Sequence, residues 1–221
     1  MGSRRAAEAK RSASYIVLEN LLDITKEIDF EDHGSLCLRT VESDEDTLSL
    51  VLHITADEYP EVHPTWEVAC FGVKEDSLSL GTHFDFQLFD DHVLLWPHMS
   101  RRSSTSFYGK VENPLAVVGA LYQRHRELVG EWIPLHRFLN SGVALTELIA
   151  GGFGMLAEGP EPLILAYEDV MRAQGFSTSH LDPTKPVYWG GNEWLDQKRP
   201  AAVLIFDESY VVAEQFVASP V

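Results

Sequence analysis

The sequence predicts an α+β fold: an antiparallel sheet, then helices packed on one side of it, then strands that return at the C-terminus. Three observations indicate this order. Residues 36–110 carry strand-like alternation of apolar and polar side chains, residues 113–174 carry helical spacing, and the tail from Pro186 regains strand composition. Separate runs of strands and helices are typical of α+β architectures.

A basic leader over residues 1–14 precedes the first predicted helix. Helical spacing then links four positions, Tyr15, Leu18, Leu22 and Thr25. Ser14 is a candidate N-cap, because its hydroxyl can accept from a free backbone N–H of the first turn. The helix is expected to end before Asp29.

Four segments then predict strands of an antiparallel meander with about four to six strands. They are residues 48–54, 66–73, 84–88 and 93–96. In the first, three leucines and Ile54 alternate with Ser49, Val51 and His53, the period of a half-buried strand. A turn at Asp90-Asp91 separates the last two segments.

The clearest helix begins at Asn113-Pro114 and ends at Gly130, since asparagine caps helices, proline suits the first turn and glycine ends it. Its apolar face is predicted as Leu115, Val118, Tyr122, His125 and Val129. Short helical pieces are expected over residues 132–139 and 143–149, and a further helix from Pro162 to Gln174.

The C-terminal tail predicts short strands separated by a turn at residues 207–209. The strand segments are residues 187–189, 201–206 and 210–217. We interpret residues 15–221 as a single domain. If that domain has two lobes, we expect their hinge near residues 140–160.

Charge is the most informative feature for function. The first 15 residues hold four basic residues and one acid, and the other 206 hold 13 basic and 33 acidic residues, a net charge of −20. Such a body repels nucleic acid and anionic membranes and attracts basic proteins or cations. The charge therefore predicts a protein partner and neither a nucleic acid nor a membrane.

The chain is expected to be cytoplasmic. It has no apolar stretch near the roughly 20 residues that cross a bilayer and no apolar core of a signal peptide. Its two cysteines, Cys37 and Cys70, are too few for a disulfide framework, which favours a reducing compartment. Whether these two cysteines pair stays open.

Catalytic and cofactor motifs are missing from the sequence. There is no G-x-S-x-G nucleophile elbow, and the glycines at 151, 152 and 154 lack the Lys-Ser/Thr of a phosphate-binding loop. We therefore expect these glycines to form a turn, and we expect no catalytic residue and no cofactor.

A metal site is the runner-up interpretation. Six of the nine histidines lie between residues 33 and 98, and His83 and Asp85 would share one strand face with His92 or His98 close by. No set of them has the ligand spacing of a known zinc motif. Scattered histidines on a polar sheet face are more often solvated or hydrogen-bonded, so no metal is predicted.

Three segments carry a resemblance to a known family. They are residues 91–98 (DHVLLWPH), 130–140 (GEWIPLHRFLN) and 189–191 (WGG). The chain is similar to immunity proteins of bacterial polymorphic-toxin and type VI secretion systems, in the family paired with restriction-endonuclease-like toxins. The resemblance implies a compact, acidic, non-enzymatic protein that inhibits a cognate toxin by stoichiometric binding.

The favoured hypothesis is thus an immunity protein that covers the active or substrate-binding surface of a basic toxin, a nuclease. Carboxylates can occupy the cationic positions that such an enzyme presents to phosphate. The predicted partner-binding residues are Glu42, Asp44, Glu45, Asp46, Asp57, Glu58 and Glu61, with Trp189 and Trp194 as aromatic anchors.

Two other classes of function stay open. One is a metal-dependent hydrolase that uses His83 and Asp85 with His92 or His98. The other is an adaptor or chaperone that binds a secreted effector without inhibiting it, because acidity explains such a protein equally well.

Overall fold

A computed structural model describes residues 18–44, 47–56, 59, 62–185, 187–189, 192–195 and 200–221, with only the backbone given for residues 188 and 189. The α+β class is confirmed: the described residues form helices and antiparallel sheets. Among the described residues, no helix is long and apolar enough to cross a bilayer.

The helices and strands follow one another along the chain with short connections. The helices are α1 (18–27), α2 (Trp96–Met99), α3 (Pro114–Val129), α4 (Leu145–Gly151) and α5 (Glu161–Ala173). The strands are β1 (Gly34–Asp44), β2 (Thr47–Ala56), β3 (Thr65–Phe71), β4 (Glu75–Ser77), β5 (Gly81–His83), β6 (Gln87–Phe89), β7 (Arg102–Tyr108), β8 (Phe153–Pro160), β9 (Ser177–Thr184), β10 (Tyr188–Trp189), β11 (Trp194–Leu195), β12 (Ala202–Phe206), β13 (Ser209–Ala213) and β14 (Gln215–Pro220).

These elements form two compact units, each with its own hydrophobic core. The first unit takes the chain up to His92 and the C-terminal residues from 199 onward, and the second takes Val93–Lys198. The glycine-rich residues 140–160, where we expected a hinge, lie inside the second unit, and the divisions fall near residues 92 and 199 instead.

The first unit contains a five-stranded sheet, β14-β3-β2-β1-β5, and a four-stranded sheet, β4-β13-β12-β6. The predicted alternation of β2 is confirmed, because Leu48, Leu50, Leu52 and Ile54 are all buried and the residues between them are not. Helix α1 contributes Leu18, Leu21 and Leu22 to the same core. It ends at residue 27, before Asp29 as predicted; Ser14 and Tyr15 lie outside the described residues.

The C-terminal strands complete both sheets. Strand β12 pairs with β6, β13 pairs with β4, and β14 pairs with β3. The turn at Asp207 and Glu208 joins β12 to β13, and Asp207 has a φ of 50°. Aspartate tolerates this left-handed conformation better than most residues, which explains the predicted turn.

Three predicted strands were wrong. Residues 210–217 form parts of two strands, β13 and β14, which Glu214 separates. Residues 84–88 do not form one strand: β5 ends at His83 and pairs with β1, whereas β6 begins at Gln87 and pairs with β12. Residues 93–96 form a 3₁₀ turn that leads into α2. An apolar run of four residues has no period that separates strand from helix, and Pro97 suits a helical first turn.

In the second unit, a three-stranded sheet, β8-β7-β9, packs against α5, and α3 packs on α5. Helix α3 has the predicted bounds, and the side chain of its N-cap Asn113 accepts from the backbone N–H of Ala116 at 3.2 Å. Its predicted apolar face was partly wrong. Leu115 and Tyr122 are exposed, and the buried stripe consists of Val117, Leu121, His125 and Val129.

Strands β8 and β9 were not predicted. Gly152 ends α4 with a φ of 80°, and a Cβ there would collide with the carbonyl oxygen of Gly109. The glycine at 152 therefore marks a close approach of two segments of the backbone. Strand β9 is rich in serine and lacks the apolar alternation that predicts a strand.

Of residues 132–139, only Leu135–Arg137 are helical, as a 3₁₀ turn, whereas α5 follows its prediction within one residue at each end.

A buried histidine links the helices of the second unit. His125 is 1% exposed, its Nε2 lies 2.5 Å from the carbonyl oxygen of Ile133, and its Nδ1 lies 2.8 Å from the hydroxyl of Tyr167. A carbonyl only accepts, so Nε2–H donates to it and Nδ1 accepts from Tyr167. Burial lowers the pKa of His125, which keeps the ring neutral, as this arrangement requires.

We expect Tyr167→Phe to lower the free energy of unfolding by about 1–3 kcal/mol, because it leaves Nδ1 of His125 buried without a donor. Urea denaturation followed by tryptophan fluorescence measures the change. Tyr122→Phe, at an exposed ring on α3, is the matched control and should alter the free energy by less than about 0.5 kcal/mol. Equal effects of the two substitutions would contradict a structural role for the buried bond.

Candidate functional site

The negative charge is concentrated in the first unit. Its sequence holds 23 acidic and 8 basic residues, whereas the second unit holds 11 and 9. The first unit therefore carries a net charge of −15 and the second a net charge of −2. A strongly basic partner is drawn to the first unit, because the attraction scales with the charge it meets.

A cleft of about 540 Å³ lies in the first unit beside helix α1, and we name it the α1 cleft. Its described lining residues are Asp23, Ile24, Glu27, Tyr59, Val62, His63, Trp66 and Pro220. They come from α1, from the connection between β2 and β3, from the start of β3 and from the end of β14. A ligand in this cleft would therefore touch both the helix and the edge of the five-stranded sheet.

The walls of the α1 cleft are apolar and fixed in place. Ile24, Tyr59 and Val62 are partly buried and pack against the core of the first unit, and Trp66 belongs to that core. The indole N–H of Trp66 donates to the carbonyl oxygen of His63 at 2.9 Å, and the hydroxyl of Tyr59 donates to the carbonyl oxygen of Glu27 at 3.2 Å. These bonds hold the β2–β3 connection against α1.

The rim of the α1 cleft is acidic. Asp23 and Glu27 are four residues apart on α1, so both carboxylates lie on one face of the helix, and both are exposed. Lys26 lies 3.6 Å from Asp23 and offsets part of this charge. Nδ1 of His63 lies 2.9 Å from the carbonyl oxygen of Thr65. Apolar walls below acceptors suit a lysine or arginine side chain, with its long apolar stem and cationic end.

The structure describes two of the seven predicted acidic partner-binding residues, Glu42 and Asp44. They lie at the end of β1, where Asp44 pairs with Thr47 at the start of β2, and Glu42 is exposed. Glu45, Asp46, Asp57, Glu58 and Glu61 lie outside the described residues. Tyr59 and Val62, which line the α1 cleft, come after the other end of β2.

The two predicted tryptophan anchors face each other in a short hairpin of the second unit. Trp189 in β10 pairs with Trp194 in β11. Trp194 is 68% exposed, whereas the side chain of Trp189 lies outside the description. This hairpin belongs to the weakly charged unit and not to the acidic one.

His83 and Asp85 of the runner-up metal site contact other protein groups. His83 is buried, with Nδ1 3.3 Å from a carboxylate oxygen of Asp207 and Nε2 3.1 Å from the carbonyl oxygen of Ser79. Asp85 lies beyond the end of β5, so it does not share a strand face with His83, and it accepts from the side-chain amide of Gln87. Within the described ranges, no group of three or more metal-ligating side chains forms.

The other two histidines of that hypothesis belong to different units. His92 stacks near the ring of Phe89 at 5.5 Å between centroids, and burial lowers its pKa against an opposing effect of Asp91. His98 belongs to the second unit, where it lines a cavity of about 180 Å³ with Arg102 and Arg137. Two guanidinium groups beside it disfavour a metal cation.

The cysteines are not paired. Cys37 and Cys70 are both free thiols, and burial, with a smaller contribution from Asp76, raises the pKa of Cys70 to about 12. A thiol in that state is a poor nucleophile.

Sequence reasoning missed the apolar part of the α1 cleft. Ile24 was not among the helical positions that we singled out, and Tyr59 stands within an acidic stretch that predicts a solvated loop. A usable signal was present, since Tyr59 stands within that acidic stretch, Trp66 follows it, and aromatic residues are enriched at interfaces.

Comparison of the chain with protein-family models, with curated proteins and with solved structures finds no match in any of the three.

We expect His83→Gln to lower the free energy of unfolding by about 2–3 kcal/mol, because it removes the buried partner of Asp207 and Ser79. Zinc uptake, measured by equilibrium dialysis, should not change. His92→Gln is the control for loss of an imidazole at a more exposed position. Loss of bound zinc with unchanged stability would contradict the structural role and revive the metal-dependent hydrolase.

Proposed function

We propose that this chain is an immunity protein of a bacterial toxin–immunity pair, of the kind found with type VI secretion, and that it acts in the cytoplasm. It neutralises a cognate toxin, a basic nuclease, by stoichiometric binding and without catalysis. The observation that carries this proposal is the α1 cleft: apolar walls under an acidic rim, on the unit that holds a net charge of −15.

Electrostatics explains how such a protein would inhibit a nuclease. A nuclease presents lysine and arginine side chains to the phosphates of its substrate. Carboxylates such as Asp23 and Glu27 can pair with these groups, and Tyr59 and Trp66 can receive the apolar stem of an inserted side chain. Charge complementarity also speeds encounter, to about 10⁸–10⁹ M⁻¹s⁻¹ at low salt, which suits an inhibitor that must act before damage occurs.

The acidic rim and the apolar walls should affect binding differently. Exposed charges more than about 8 Å from their partners are largely screened at 0.15 M ionic strength. Such charges therefore act mainly on the association rate, and most strongly at low salt. An aromatic wall that closes over an inserted side chain governs dissociation, because its contacts exist only in the complex.

The test uses the purified product of the adjacent gene as partner, with surface plasmon resonance at low and high salt. We expect Asp23→Asn with Glu27→Gln to lower the association rate about 3- to 10-fold at low salt, with little difference at 0.5 M salt. Glu127→Gln with Glu131→Gln, at exposed acids of the second unit, is the matched control and should bind like the wild type.

Tyr59→Ala should instead raise the dissociation rate about 10- to 100-fold, as truncation of an aromatic anchor does. Tyr122→Ala, at an exposed ring of α3, is its control. Glu42→Gln with Asp44→Asn, at the far end of β2, shows whether the other acidic group takes part. A rim variant that associates at the wild-type rate, together with a slow Glu127/Glu131 variant, would contradict docking at the α1 cleft.

A genetic experiment separates inhibition from an adaptor role. Deletion of an immunity gene is lethal only when the toxin gene is intact, whereas loss of an adaptor blocks export and leaves cells viable. We expect lethality that an inactive toxin allele relieves. Viable cells with unexported effector would favour the adaptor.

A further inference from the structure

The sheet of the second unit has one covered face and one open face. Helix α5 packs on the covered face, which includes Ser103, Thr105 and Phe107 of β7. The open face carries four large apolar side chains, which we name the sheet patch: Tyr108 (73% exposed), Phe153 (69%), Leu181 (57%) and Met155 (43%).

The strand register brings the members of the sheet patch together. Tyr108 of β7 lies opposite Phe153 of β8, and Ser106 lies opposite Met155. On the other side of β7, Ser104 lies opposite Leu181 of β9. Directly opposed residues have Cβ atoms about 4.5–5.5 Å apart, so Tyr108 and Phe153 are in contact range, and Met155 is two residues from Phe153 on the same face. Leu181 lies on that face too, beside Ser104.

The size of the sheet patch exceeds what scattered surface residues present. Large side chains carry about 150–250 Å² each, so four of them at these exposures leave roughly 500 Å² of mostly apolar surface. The largest patch of a typical monomer covers about 300–600 Å² and is often functional. A face of this size is consistent with an interface.

Charge indicates which partner fits. The second unit has a net charge of −2, so it neither attracts a basic protein strongly nor repels its own copy strongly. At one end of the same face, Arg102 and Glu158 form an ion pair at 3.2 Å, which leaves that end neutral as well. A self-contact through this unit avoids the repulsion that two units of net charge −15 would exert.

Bulky and small residues occupy different parts of the open face. Its bulky end holds Tyr108 and Phe153, and serines 104, 106 and 179 lie along its middle. A two-fold axis that runs between two such sheets and crosses the strands near Ser106 places Tyr108 of one copy over Ser104 of the other.

We propose that a second copy of this chain covers the sheet patch, so that the protein forms a two-fold dimer through the outer face of β8-β7-β9. Two facing patches bury on the order of 1,000 Å², at the lower end of specific interfaces. The dimer is therefore weak, with a dissociation constant in the micromolar range. The dimer does not rest on the proposed function, which uses the α1 cleft of the first unit.

Sedimentation velocity of the full chain over a range of concentrations tests the proposal. The wild type should shift from monomer to dimer as its concentration rises, and added salt should strengthen the dimer by screening the charge of −17 on each copy. Tyr108→Ser with Phe153→Ser should stay monomeric throughout. Leu115→Ser with Tyr122→Ser, at exposed apolar residues of α3, is the matched control and should dimerise like the wild type.

Cross-linking provides a second readout that does not depend on removing apolar surface. Ser106→Cys, close to the proposed axis, should form a disulfide dimer under mild oxidation, whereas Ser141→Cys, exposed but outside the sheet, and the wild type should not. Far-ultraviolet circular dichroism confirms that each variant folds.

Three results would overturn the proposal. They are a wild type that stays monomeric at all concentrations, a dimer that persists in the Tyr108/Phe153 variant, and equal cross-linking of Ser106→Cys and Ser141→Cys. If the Tyr108/Phe153 variant loses only its binding to the adjacent gene product, the sheet patch belongs to that partner, which also overturns the dimer.

Discussion

The first unit depends on backbone pairing between distant parts of the chain. Strands β12 and β13 supply the centre of the four-stranded sheet, and β14 supplies an edge of the five-stranded sheet. More than a hundred residues, from Val93 to Lys198, lie between the two parts of this unit. Phe206 and Phe216 are buried in its core, so the core closes only after the C-terminus has docked. Such non-local pairing is slow to form, because loop-closure entropy is spent before the contacts are gained.

This topology lets one chain separate two surfaces of different chemistry. The first unit carries nearly all of the excess negative charge, together with the α1 cleft. The second unit carries an almost neutral apolar sheet face. A charged surface raises the rate of association with a basic protein. A neutral apolar surface associates without this electrostatic acceleration and is stabilised by burial of apolar area. A protein with both surfaces could bind a basic toxin through one and its own copy through the other.

The sequence alone predicted the elements that have a regular apolar period or clear capping residues. Helix α3 has a capping Asn113 and a terminating Gly130, and β2 alternates over its whole length, so both were predicted within a residue or two. The strands β8 and β9 were missed because neither shows regular apolar alternation, since two glycines interrupt β8 and β9 is mostly polar, and the sheet patch was missed with them. The division into units could not be predicted, since it depends on which distant strands pair. The partner role of the predicted acids stays a prediction, because the structure describes only Glu42 and Asp44 of them, at the end of β1.

Hydrogen–deuterium exchange of the complex with the adjacent gene product tests the central claim most directly. If the acidic unit binds the partner, amides of α1 and of residues 62–66 should gain protection in the complex, and those of α3 and α5 should exchange as in the free chain. Protection confined to the second unit, with unchanged exchange around the α1 cleft, would contradict binding through the acidic surface.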